Sequence, residues 1–235
     1  MRSSSRVVAA VVLAVLAASG CWHGSLYASR PKDRLVDDAI NKLWADEIRR
    51  VARDGDWILS RSLTPQGDMI TWVTLKGEKF SHASMVDVTH GTVIEAITPV
   101  VREIPLEELM ARNWYVVVVR PTGLSPEDSK VALERARSQL GVEFDLWGFV
   151  GFQEQTKWYC TELVYWASGF EEKKGTQVIL FPNELMDVGE VVYYSGRRDD
   201  RQVQAIAAGR VNSGHDTAVA GASTTHDGAE VEIVP

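Results

Sequence analysis

Tyr115 is followed by four consecutive valines, Val116 to Val119. Such a run does not suit a sheet with one wet face. Successive strand residues point to opposite faces, so these valines demand apolar cover on both sides. The segment is expected as an interior strand, and the rest of the chain must supply a layer for each face. At 235 residues and 45% apolar composition the chain can bury such a core in one domain, with extra segments at both ends.

Other elements follow from periodicity. Leu35, Ile40, Leu43, Trp44, Ile48 and Val51 recur at helical spacing within 31–53, behind Pro31. Gly55-Asp56 turns the chain into a short strand, Trp57-Ile58-Leu59, that ends near Arg61. Ala83 to Val88 and Thr92 to Ile97, separated by His90-Gly91, read as a hairpin. A short helix is expected over Leu106 to Arg112, and a capped one from Ser125-Pro126 to Leu140, stopped by Gly141. Residues 68–75 suit helix or strand. A buried helix begins around Cys160, Pro182 opens another helical turn, and Val178 to Phe181 and Val191 to Tyr194 supply strand material. The residues from Ala205 onward are rich in Ala, Gly, Ser, Thr and Val without periodicity, and 201–235 is expected to be a disordered tail.

The N-terminus reads as an address. Arg2 and Arg6 precede an uncharged run from Val7 to Ala18, then Ser19, Gly20 and Cys21. This is a secretory signal pattern over 1–20, too short for a permanent span. Ala18-Ser19-Gly20-Cys21 resembles a bacterial lipobox, with alanine where leucine is usual, which implies acylation of Cys21. A tether over 21–30 and a folded domain over 31–200 follow. The protein is expected on a membrane of the bacterial envelope, on the periplasmic face. Formal net charge is −7, so the basic footprint for nucleic acid is missing.

With Cys21 assigned to the leader, Cys160 is a lone thiol. At a helix start the backbone amides and the dipole favour a thiolate and can stabilise an oxyanion. His82, at a strand start, is the candidate base, and Glu95, across the hairpin, the candidate orienting carboxylate. The bland readings are a small buried cysteine, a structural histidine and a solvated glutamate. His90 belongs to the turn, and His215 and His226 lack metal-ligand spacing, so no metal or cofactor is expected. Trp57, Trp72, Trp147, Trp158 and Trp166 are core residues or groove lining, and Gly148 and Gly151 flank Phe149 in a loop that borders the cleft.

Taken in order, Gly55-Asp56-Trp57-Ile58-Leu59, Phe80-Ser81-His82-Ala83-Ser84-Met85-Val86, Val93-Ile94-Glu95-Ala96, Phe144-Asp145 and Trp158-Tyr159-Cys160-Thr161-Glu162-Leu163-Val164 resemble the YiiX-like group of NlpC-type papain-like hydrolases. The resemblance covers about 55–185, and histidine before cysteine marks the circularly permuted arrangement. It implies an α+β fold with a central antiparallel sheet packed against helices. It also implies Cys160 as nucleophile, His82 as base and later acid, and Glu95 as third residue, with Asp56 as a turn-stabilising residue and Tyr159 as a packed aromatic. The expected activity is cleavage of an amide or ester through a thioester, on a cell-wall peptide or a lipid acyl group. Acyl transfer by the same residues and a non-catalytic peptide- or lipid-binding module are the alternatives.

Overall fold

The computed structural model describes residues 30–63, 80–148, 154–171 and 181–214. Cys21, Trp72, Phe149, Gly151, the segments 68–75 and 178–180, and the tail from 215 lie outside them. Helix α1 (Arg34–Val51) leads into strands β1 (Trp57–Ser62), β2 (His82–Asp87), β3 (Thr92–Ile97) and β4 (Val100–Pro105). Helix α2 (Leu106–Ala111), strand β5 (Asn113–Pro121) and helix α3 (Pro126–Arg137) follow. Helix α4 (Cys160–Ala167), a 3-10 helix (Pro182–Val188), strand β6 (Gly189–Tyr194) and helix α5 (Arg201–Asn212) complete the order. The strands form one antiparallel sheet in the order β4-β3-β2-β1-β5-β6.

The valine strand is interior, between β1 and β6, and its side chains divide as its sequence demands. Val117 and Val119 join Leu59, Met85 and Ile94 under α3 and α4, where Leu133, Leu163 and Val164 close one core. Val116 and Val118 join Ile58, Val86 and Val93 under α1, α2 and α5, where Ile40, Trp44, Leu109 and Ala207 close the other. The α+β expectation holds, with a helical layer on each face. At the turn after α1, Gly55 has φ +85, and a Cβ there would lie 2.4 Å from the Ser129 carbonyl oxygen. Glycine thus lets this turn press against α3.

Two features differ from the sequence reading. The hairpin continues into β4, which Pro99, Pro105 and the charged pair Arg102-Glu103 conceal from a periodicity test. Such residues are tolerated because β4 is an edge. The disordered tail expected from 201 is corrected over Arg201–Asn212, which form α5. Asp200 caps its start, and its apolar stripe is thin because Ala207 and Val203 suffice to pack on the α1 layer.

Arg198, just before α5, fixes that layer. Its guanidinium is fully buried and donates to Asp37 Oδ1 at 2.6 Å, Asn41 Oδ1 at 2.8 Å and the carbonyls of Asn113 at 3.0 Å and Met110 at 2.7 Å. One side chain thereby joins α1, α2 and β5. Arg198→Ala strips donors from a buried carboxylate and two buried carbonyls, and denaturant unfolding should record a loss of about 3–5 kcal/mol. A midpoint equal to wild type would show that this cluster does not hold the layer.

Candidate active site

Cys160 reaches the sheet by way of its edge. Beyond α3, Gly141 N–H donates to the Val101 carbonyl and Val101 N–H to the Val142 carbonyl, so the chain covers β4. Phe144 bridges in parallel to Trp158, and Asp145 N–H donates to the Trp158 carbonyl at 2.9 Å. The fully buried Asp145 carboxylate then accepts from the N–H groups of Gly148 and Glu154, each at 2.8 Å. These contacts fix the strand-like approach Trp158-Tyr159. Gly148 sits so close that a Cβ would fall 2.6 Å from Asp145 Oδ2 and 2.9 Å from the Tyr159 ring. Tyr159 is extended, at φ −101 and ψ 167, and its side chain makes no capping bond, so helix α4 opens directly at Cys160.

Cys160 is a partly exposed free thiol. His82 is the first residue of β2, opposite Ser60 of β1, and Cys160 lies near enough to its side chain to act on its proton affinity. Nε2 of His82 lies 2.8 Å from Glu95 Oε2, which leaves Nδ1 for the sulfur. The β2–β3 register sets Met85 opposite Ile94, so strand alternation carries His82 and Glu95 to one face, as the hairpin reading expects. The structure therefore brings Cys160, His82 and Glu95 together.

Two arginines that the sequence reading does not single out complete the cluster. Glu95 is fully buried, and Arg102 lies directly opposite it on β4. Arg102 Nε donates to Glu95 Oε1 at 2.9 Å, while Arg112 Nη2 lies 2.8 Å from Oε1 and 2.9 Å from Oε2. Arg102 would follow from recognising the second hairpin; Arg112, between α2 and β5, has no local signal.

Charge sets the protonation states. Burial works to lower the His82 pKa, but hydrogen bonds to Cys160 and Glu95 and their negative charges outweigh it and push the value up to about 9. Burial works to raise that of Glu95, yet the contact with His82, followed by the charge of Arg112, holds it down to about 2. The arrangement is a buried carboxylate, an imidazolium and a partly exposed sulfur in sequence, suited to a thiolate held beside a proton donor.

The remaining expected residues have structural places. Asp56 is buried at the far end of β1, paired with Arg120 at 2.8 Å and capping Arg53 N–H, as a turn-stabilising role requires. Trp57 is core and donates to Ser168 Oγ; Trp158 and Trp166 pack as a tilted pair with ring centroids 4.6 Å apart, with Arg135 over the Trp166 ring; Trp147 is half exposed on the loop before α4. His90 hydrogen-bonds Asp87 within the hairpin turn.

A family model described as permuted papain-like amidases, YaeF/YiiX, C92, matches residues 51–182. That is more than half of the chain and includes all three clustered residues. Among curated proteins none matches. Among solved structures, the crystal structure of the metalloprotein YiiX from Escherichia coli O157:H7 is similar at 20% identity. The match covers 60% of this chain and 96% of that one, with a TM-score of 0.47. In this chain, the described residues include no group of three His, Cys, Asp or Glu side chains placed to hold a metal ion.

The raised His82 value has a measurable consequence. Its ordinary value is 6.5, so its contribution to stability is fully present below that pH and is lost as pH rises through about 9. Urea midpoints should fall across this window. Glu95→Gln removes one of the two partners that raise the value, and should shrink the fall; an identical slope in the variant would show that the Glu95 contact does not carry it.

Proposed function

We propose a mechanism from one premise: the chain belongs to the permuted papain-like amidase family, which makes it a cysteine hydrolase of circularly permuted papain-like fold. Within that class, the observation that carries the reading is the approach of Cys160, at the first position of α4, to His82, itself hydrogen-bonded to buried Glu95 at 2.8 Å. At neutral pH His82 is held protonated beside the Cys160 sulfur. The Cys160 sulfur attacks the acyl carbon, the carbonyl oxygen takes up the charge, and the opening turn of α4 faces it with backbone N–H groups. Collapse breaks the bond to the leaving amine or alcohol, which receives the His82 proton, and leaves an acyl-thioester on Cys160.

The same electrostatics prepare the second half. In the thioester the sulfur no longer carries the charge that helps to raise the His82 pKa. The imidazole, having given its proton to the leaving group, stays deprotonated more readily and takes a proton from water as the water oxygen attacks the thioester. Release of the carboxylic acid restores the thiolate and imidazolium. His82 thus holds the proton as the sulfur attacks, gives it to the leaving group as acid and takes one from water as base, with Glu95 holding its ring.

For the setting, the leader and Cys21 support an envelope lipoprotein anchored through acylated Cys21, with the domain on the periplasmic face. An amide or ester within reach of a membrane surface, in a cell-wall peptide or a lipid acyl group, is the substrate this location offers.

Iodoacetamide alkylation of Cys160 across pH tests the chemistry. Rapid reaction well below the ordinary thiol pKa of about 8.5 is expected, with His82→Ala slower by about tenfold or more at pH 6. Reaction at ordinary thiol rates in both proteins would remove the activated pair. The anchor is tested separately by growing cells with labelled palmitate: the full chain should incorporate label and sediment with membranes, Cys21→Ser should do neither, and equal labelling of both would exclude Cys21 as the acylated residue.

A further inference from the structure

We propose that Arg112 is a positioning residue for His82, acting through Glu95; this rests on the Cys160–His82 reading above. The two arginines at Glu95 are not equivalent. Arg102 stands on the edge strand, touches only Oε1, and also lies 3.8 Å from Glu108. Arg112 spans the carboxylate, with Nη2 at 2.8 Å from Oε1 and 2.9 Å from Oε2. Oε2 is the oxygen that His82 Nε2 meets at 2.8 Å. A donor shared between both oxygens opposes rotation of the carboxylate and so holds Oε2 toward the imidazole.

Arg112 is itself gripped. It is the C-cap of α2, and its own carbonyl accepts from Leu63 N–H at 2.9 Å. Each carbonyl of the turn before it is taken by a side chain: Leu109 by Asn113 Nδ2 at 2.7 Å, Met110 by Arg198 Nη2 at 2.7 Å, and Ala111 by Arg30. A six-residue helix whose end is secured from three directions is a mount for the residue that follows it.

Charge gives the mount an electrostatic effect. His82 is faced by Cys160 from α4 and Glu95 from β3, with Arg102 and Arg112 behind Glu95, while Ser60 opposite it on β1 is uncharged. The two guanidiniums share the Glu95 charge with the imidazolium, so they moderate how tightly His82 keeps its proton. That matters for the step in which His82 must accept one.

The test is an NMR titration of the His82 ring in the full chain, beside the alkylation rate of Cys160. Arg112→Gln should move the His82 midpoint upward by roughly one pH unit, because a nearby positive charge is lost. Arg112→Lys keeps the charge but replaces the planar guanidinium with a flexible ammonium: it should return the midpoint toward wild type while Cys160 alkylation stays several-fold slow. The lysine variant also serves if the glutamine variant fails to fold. An unmoved midpoint in Arg112→Gln, or wild-type alkylation in Arg112→Lys, would overturn the proposal. Ordinary thiol reactivity in the wild type would instead overturn the reading beneath it.

Discussion

A sheet whose central strand offers no wet face must be covered twice, and that requirement shapes everything around it. Each buried valine side chain contributes on the order of 1.5–3 kcal/mol when shielded from water, and none of it is realised on an open face. The chain answers with α3 and α4 on one side and α1, α2 and α5 on the other. Both layers carry parts of the site. The first ends in the residue Cys160, and the second ends, through α2, in Arg112. Packing that satisfies the valines therefore also fixes two of the residues that approach the His82–Glu95 pair from outside the β2–β3 hairpin.

Burying Glu95 away from water is costly unless its charge is matched and its oxygens are bonded. Here two guanidiniums and an imidazole accomplish both. With Arg102 and Arg112 positive and Glu95 negative, the support behind His82 carries a net positive charge. The third residue thus acts as part of a charged assembly, and its effect on the imidazole depends on how the arginines divide its charge.

Much of this was legible in the residues. The β2–β3 hairpin follows from alternation about His90-Gly91, and the hairpin alone brings His82 near Glu95. The start of α4 at Cys160 follows from the spacing of Leu163, Val164 and Ala167. What stayed hidden depends on tertiary contact. Strand β4 lies between prolines and carries Arg102-Glu103, so its pattern reads as a loop, although Arg102 pairs with Glu95 across the strand and Glu103 accepts from Thr92 Oγ1 and lies 3.4 Å from Arg137. Helix α5 is composed like a linker, and its order comes from an Asp200 cap and from α1 rather than from its own periodicity. Arg112 and Arg198 are surface-type residues by composition, and only the fold buries Arg198 and brings Arg112 to Glu95.

Helix α2 shows how stability and chemistry become linked. At six residues it is too short to persist alone, since helix nucleation is costly and few bonds follow it. Its existence depends on Leu106, Leu109 and Met110 packing into the core and on donors brought to its last carbonyls. Two of those donors, Arg30 and Arg198, come from opposite ends of the folded region and also meet at Asp37. The chain entering α1 and the chain leading into α5 thus converge on one carboxylate and one helix end. Because Arg112 follows that helix end directly, closing the domain and orienting Glu95 are the same structural event, and a change that loosens either terminal segment acts on the site through α2.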